Sequence, residues 1–255
     1  MQLRPAGSRR RRSRPELRVL PVGGLPEIGD GDDLGALIAE RAELEDGDVI
    51  VVAQKVVSKA EGRVVRLADV EPSARARELA GSDDPRRLEV ILGEAKRIVR
   101  SRPPLVVVET RHGFVCASAG VDASNAPEPG TVVLLPVDPD ASAERLRAQL
   151  YELSGVEVGV IISDTFGRPW RLGIVNVALG VAGLPALIDL RGTADDAGQP
   201  LHATVLAIAD DIAASAGLVM GKTERTPAVI VRGLSLDGSG SGHDLIRAAE
   251  EDLFR

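Results

Sequence analysis

Aromatic side chains make up only 2% of this 255-residue chain: three Phe, one Trp and one Tyr. A surface that holds nucleic acid by stacking on its bases has almost nothing here to stack with, so a nucleic-acid platform is not expected. There is one cysteine, Cys116, and there are three histidines, far apart in sequence. That excludes an internal disulfide framework and any cysteine-cluster metal site, and it fits a reducing, cytoplasmic setting. A bound metal would need oxygen ligands. No stretch approaches the ~18 uninterrupted apolar residues of a membrane span, so no membrane partner is expected.

What is present suffices for one large domain or two small ones: 44% of residues are hydrophobic and 27% charged. Packing must lean on Val, Leu, Ile and Ala. Charge is unevenly placed. Residues 1–18 hold seven Arg against one Glu, a balance of +6, so the chain's net −7 leaves −13 on the remainder. Arg9 to Arg12 and Arg14 lie among Pro, Gly and Ser, a composition that cannot bury apolar surface; residues 1–16 are expected to be a disordered Arg-rich tail, with the folded domain over 17–255.

Apolar periodicity predicts short strands at Leu17 to Leu20, Val49 to Val52, Leu105 to Glu109, Gly113 to Ala117, Val132 to Leu135, Val158 to Ser163 and Ala228 to Val231. Helices are predicted from Asp32 to about Glu43, Ser73 to Ala80, Pro85 to Arg100, about Pro139 to Leu153, Val205 to Ala216, and from the Gly/Ser loop at 239–242 to Phe254. Asp84 is placed to cap the third of these, with Pro85 in its first turn. Strands and helices mix without strict alternation, which favours an α+β fold with mixed or antiparallel sheets over a doubly wound one.

One near-miss needs removing. Gly217-Leu-Val-Met-Gly221-Lys222-Thr223 is close to a phosphate-binding P-loop, but three residues separate the glycines where four are required. Its context is reversed too, because it follows an Ala-rich helix and precedes a strand. The chain is therefore not a P-loop NTPase, and Gly221 reads as a helix-ending glycine.

Two segments look more purposeful: Glu109 to Asn125 and Ser163 to Arg171, which hold three of the five aromatics, Phe114, Phe166 and Trp170. Asp122 and Asp164 are two carboxylates that suit a hard divalent ion, whose other ligands come from phosphate and water. The alternative for each is a turn or cap Asp that bonds nearby backbone amides. Arg168 and Arg171 offer forked donors for phosphate or carboxylate, or surface ion pairs. Lys55 and Lys59 follow a buried strand and read either as phosphate-binding cations or as two solvated lysines.

Taken together, Gly24-Leu-Pro-Glu27, Val51 to Arg63, Glu109 to Asn125, Ile162 to Arg171, Val177 to Gly183 and Leu218 to Lys222 resemble, in matching order, the gamma-glutamyl ligases of deazaflavin coenzyme (F420) biosynthesis. The resemblance runs from about Leu20 to Arg255 and is to the single-domain form. It implies an α+β fold that is neither P-loop nor ATP-grasp, an intertwined homodimer, and GTP-dependent addition of L-glutamate to coenzyme F420-0 through an acyl phosphate. It implies Mg²⁺ or Mn²⁺, with room for two ions, and allows a monovalent cation. By the same resemblance Gly24, Leu25, Pro26, Glu27, Gln54, Lys55, Lys59 and Asn125, with Met220, Gly221, Lys222, Thr223, Glu224, Arg225, Thr226 and Pro227, would contact the nucleotide. Asp122, Asp164 and Thr165 would hold metal, with both aspartates catalytic, and Arg168, Trp170 and Arg171 would face the substrate.

Two departures stand out. Where some relatives place a glutamine metal ligand after Met-Gly, this chain has Lys222, which cannot coordinate while charged. After Arg171 the frequent Asn-Gly-Gln-Thr-Asp is Leu172-Gly-Ile-Val-Asn176. The competing readings are a metal-dependent phosphotransferase or nucleotide hydrolase on the same scaffold, and a nucleotide-binding regulatory module whose Arg tail meets nucleic acid.

Overall fold

The computed structural model describes residues 16–253. The Arg-rich tail, apart from Glu16, and the final residue of the predicted last helix, Phe254, lie outside them. Along the chain, β1 (Arg18–Pro21), α1 (Leu34–Ala39), β2 (Val49–Ala53), α2 (Gln54–Ala60), β3 (Val64–Arg66), α3 (Ala74–Ala80) and α4 (Pro85–Glu94) come first. Then follow β4 (Ala95–Arg102), β5 (Leu105–Thr110), β6 (Val115–Ala117), β7 (Thr131–Val133), α5 (Pro139–Ser154) and β8 (Gly159–Arg168). The chain closes with β9 (Arg171–Ala182), β10 (Ile188–Asp189), β11 (Val205–Leu206), α6 (Ile208–Met220) and β12 (Ala228–Arg232).

The main sheet has the order β1-β12-β2-β8-β9. β2 and β8 are parallel, with Ala53 opposite Ser163, and the other pairings are antiparallel. This is the mixed α+β architecture expected. Because successive side chains of a strand point to opposite faces, Ile50, Val52, Val160, Ile162 and Ile230 join α1 and α5 on one face. Val49, Val51, Ile161, Val229 and Val231 join α6 on the other. A sheet buried on both faces reads in sequence as unbroken apolar runs, which is what β2, β8 and β12 are. A smaller sheet, β4-β5-β6, packs under α3 and α4 around Leu88, Ile91, Val106 and Val108.

Helix ends follow their side chains. Asp33, Ser73, Asp84 and Asp138 each accept a bond from a backbone N–H of the first turn they open, and Pro85 and Pro139 take the first helical position. One close approach fixes the seat of α5. A Cβ on Gly180 of β9 would meet the Pro139 carbonyl oxygen at 2.1 Å, so only glycine lets the strand pass under that helix start.

Several sequence expectations need correcting. The helix predicted from Pro85 to Arg100 stops at Glu94, and Ala95–Arg102 is strand β4, paired with β5. Ladder bonds to Leu105–Thr110 outweigh the helix propensity of its Lys and Arg residues, and Pro103-Pro104 form the turn between the two strands. Helix α1 covers Leu34–Ala39, so the helix predicted over Asp32 to Glu43 is confined to that stretch. Residues Val205–Leu206 form β11 against β10, and the helix predicted to begin there starts at Ile208 and runs on to Met220. The predicted last helix is two single 3₁₀ turns, Gly242–Leu245 and Ala249–Glu251. The strand expected to end at Ser163 continues to Arg168 and turns back as β9, whose Ala and Gly residues hide a twelve-residue strand from propensity.

Candidate active site

Three segments meet where the parallel strands β2 and β8 end. Past Ala53, β2 passes directly into α2, a helix the sequence reading missed, and α2 carries Gln54, Lys55 and Lys59. Level with Ala53, β8 presents Ser163, then Asp164 and Thr165. Strand β12 runs the opposite way, so the residues that lead into it, Met220 to Pro227, arrive at this same end. Ligands of sheets with parallel strands gather outside such carboxyl ends. A cavity of about 740 Å³ opens there.

Its wall contains Leu25, Pro26, Glu27, Gln54, Lys55, Lys59, Asn125, Asp164, Thr165, Met220, Gly221, Lys222, Thr223, Arg225, Thr226 and Pro227. Of the remaining predicted residues, Gly24 and Glu224 lie just outside the wall, and Asp122 joins it through Lys55. Arg168, Trp170 and Arg171 sit apart at the tip of the β8–β9 hairpin, all exposed, and neither arginine forms an ion pair among the described residues.

The cavity's charges are ordered. Lys55 Nζ donates to Asp122 Oδ2 at 2.6 Å, to Ser124 Oγ at 2.6 Å and to the Ser124 carbonyl at 2.8 Å. Lys59, with its side chain almost wholly buried, pairs with Glu27. Lys222 Nζ donates to Thr165 Oγ1 at 2.9 Å. Asp122 also closes a turn, accepting from the Ser124 N–H at 2.7 Å, so its turn role and its site role coexist. Asp164 is no turn residue: it lies inside β8, opposite Val177.

Burial pushes the Asp164 carboxyl up to about 6, against the pull of the Thr165 N–H and of the Lys55 and Lys222 ammonium groups, and the negative Asp122 adds to the rise. For Asp122 burial acts in that same direction, but the hydrogen bonds from Lys55 and Ser124 prevail and hold it below the usual carboxylate range. Cys116, behind Asp164 on β6, is driven up to about 12 by burial and by that carboxylate, so it is a core thiol and not a nucleophile.

Some wall residues went unforeseen. Asn176 lies opposite Thr165 on β9, and its Nδ2 comes within 3.5 Å of Ser163 Oγ and of Met220 Sδ. Ser163 itself is buried. The signal for Asn176 was β-pairing register, invisible before β9 was recognised as a strand, whereas Ser163 stood at the predicted end of β8 without being assigned to the site. Gln54 is 1% exposed; its Oε1 accepts from Ser58, while its Nε2 has no partner among the described residues. Among those residues no three His, Cys, Asp or Glu side chains cluster as a ready-made metal cage. Asp122, Asp164 and the Thr165 hydroxyl make only a partial oxygen set, which fits a hard cation that completes its shell with phosphate and water oxygens. No helix of the described residues is long and apolar enough to cross a membrane.

Residues 24–233 match the family model described as F420-0:Gamma-glutamyl ligase. The chain is similar to the coenzyme F420:L-glutamate ligase of Methanopyrus kandleri, with 51% identity over 249 residues, covering 94% of this chain and 98% of that one. The Methanocaldococcus jannaschii protein of that name is 47% identical over 248 residues, covering 94% and 98%. Its Archaeoglobus fulgidus counterpart is 46% identical over 242 residues, covering 94% and 96%.

Proposed function

Because the chain belongs to the F420-0:gamma-glutamyl ligase family, we propose that it joins L-glutamate to coenzyme F420-0 through an amide bond, at the expense of GTP, and then extends the γ-linked glutamate tail. The observation that carries this reading is the convergence of Lys55, Lys59 and Lys222 with Asp164 and Thr165 on one cavity. Moving a phosphoryl group asks little covalent chemistry of a protein and much positioning and charge neutralisation. Ammonium groups from two separate segments supply that.

In the first step a carboxylate oxygen of the acceptor attacks the γ-phosphorus of GTP and the bond to the GDP oxygen breaks, giving an acyl phosphate. In the second, the amine of glutamate attacks the acyl carbon, the carbon–oxygen bond to phosphate breaks, and the amine loses its proton as the amide forms. Lys55 and Lys59 bind the nucleotide's phosphates, with Gly24 to Glu27 and Met220 to Pro227 around it. Asp122, Asp164 and Thr165 would hold Mg²⁺ or Mn²⁺, which when bound neutralises charge on the transferring group. The forked donors Arg168 and Arg171 lie apart from this chain's own cavity, and across the homodimer they would meet the carboxylates of F420-0 or glutamate. The active form is a homodimer, a reading supported by the exposed apolar side chains Trp170, Leu172 and Ile174 on the β8–β9 hairpin. The single reduced cysteine fits work in the cytoplasm.

Mass spectrometry of the deazaflavin after incubation with GTP, glutamate and Mn²⁺ tests the reading. It requires products heavier by whole glutamyl residues, and sustained GDP release only when both co-substrates are present. GDP release indifferent to their omission would instead make the protein a nucleotide hydrolase.

A further inference from the structure

The three lysines of the cavity are not equivalent. Lys55 is tied to Asp122 and Lys59 to Glu27, whereas Lys222 has no carboxylate bonded to it among the described residues and rests on the neutral hydroxyl of Thr165 at 2.9 Å. It is held there by a fixed turn: Gly221 ends α6 at φ +57°, and the Glu224 carboxylate accepts from the Thr223 N–H at 2.9 Å.

The oxygens available to a cation divide in the same way. Asp122 Oδ2 already carries the Lys55 ammonium and Thr165 Oγ1 already carries that of Lys222, which leaves Asp164 as the carboxylate with no side chain bonded to it among the described residues. An ammonium has no lone pair to give a metal, and a second divalent ion on Thr165 would have to sit against it.

We propose that Lys222 is a built-in cation that takes the place of one divalent ion, so that each chain binds a single divalent ion, on Asp164, and the Lys222 ammonium supplies the positive charge on the Thr165 side. This rests on the divalent-ion reading given under Proposed function and narrows its ligand set to Asp164, because Lys55 takes up Asp122 and Lys222 takes up Thr165. The division of labour suits phosphoryl transfer, in which charge spreads over several phosphate oxygens and must be met from more than one direction.

The test is to count Mn²⁺ bound per full-length chain by equilibrium dialysis in the presence of GDP, subtracting the ion held by GDP alone. Wild type and Lys222→Arg are expected to bind one ion each. Lys222→Gln, which removes the charge and places an amide oxygen at similar reach, is expected to bind two. Two ions on wild type, or one on a folded Lys222→Gln, overturn the proposal while leaving the divalent-ion reading standing. No ion on wild type overturns that reading and the proposal with it. Should Lys222→Gln fail to fold, the wild-type and Lys222→Arg counts still decide.

Discussion

Lys55 and Asp122, 67 residues apart in sequence, meet at 2.6 Å, and their contact links the first turn of α2 to the loop that follows the small sheet. The ammonium holds Asp122 ionised, and Asp122 with Ser124 holds the ammonium at the cavity wall. Removing Lys55 should therefore strike nucleotide binding. In Lys55→Ala the apparent KM for GTP is expected to rise by roughly 10- to 100-fold, the worth of one or two hydrogen bonds to a charged group. Steady-state kinetics with varied GTP check this, and an unchanged KM would remove Lys55 from the phosphate site.

Asp164→Asn should abolish metal-dependent turnover and leave the fold intact, because the amide keeps the volume and loses the charge. Even outer-shell partners of metal sites cost about 10- to 100-fold, so a direct ligand should cost at least the upper figure. Turnover at the wild-type level, in a variant with an unchanged circular dichroism spectrum, would reduce Asp164 to a strand residue.

The raised Asp164 carboxyl also predicts a pH dependence of stability. Between the ordinary carboxylate range near pH 4 and about 6, the folded chain holds a proton that the unfolded chain has released. The stability contributed by this group is present at low pH, lost as pH rises through about 6, and constant above. Asp122, held low, works the other way: its contribution is present at neutral pH and lost as acid protonates it. Relative to Asp164→Asn, wild type should thus lose stability from about pH 4 to 6, read as the difference in urea midpoints across that range. A constant difference would contradict the burial argument.

Gly180→Ala tests the seat of α5. The added methyl would meet backbone at 2.1 Å, and backbone cannot swing aside as a side chain does. A loss of roughly 2 to 3 kcal/mol is expected from overpacking of this kind, measured by denaturant unfolding. A loss within experimental error would mean the helix start shifts freely.

What the sequence disclosed follows from how locally each feature is determined. Strands β2 and β12 were legible as apolar runs, and the start of α4 by its Asp84 cap, because those signals lie within a few residues of one another. Strand β4 was hidden because its Lys and Arg residues favour helix until β5 pairs with them, and β9 because Ala and Gly take strand form only when a partner supplies the ladder. The same holds at the site. Lys55, Asp164 and Thr165 stood out as residue types next to strand ends, but that Lys222 reaches Thr165 across 57 positions is a product of the β12-β2-β8 order, which no local pattern encodes. Asn176 was missed for that reason.

In the proposed reaction a terminal phosphate passes to an organic acid before the amine arrives. Its most direct test is to label the F420-0 carboxylate oxygens with ¹⁸O and analyse the phosphate released with GTP and glutamate present. Transfer through an acyl phosphate predicts phosphate carrying one labelled oxygen from the acceptor. Phosphate free of label, formed while glutamate is joined, would contradict it.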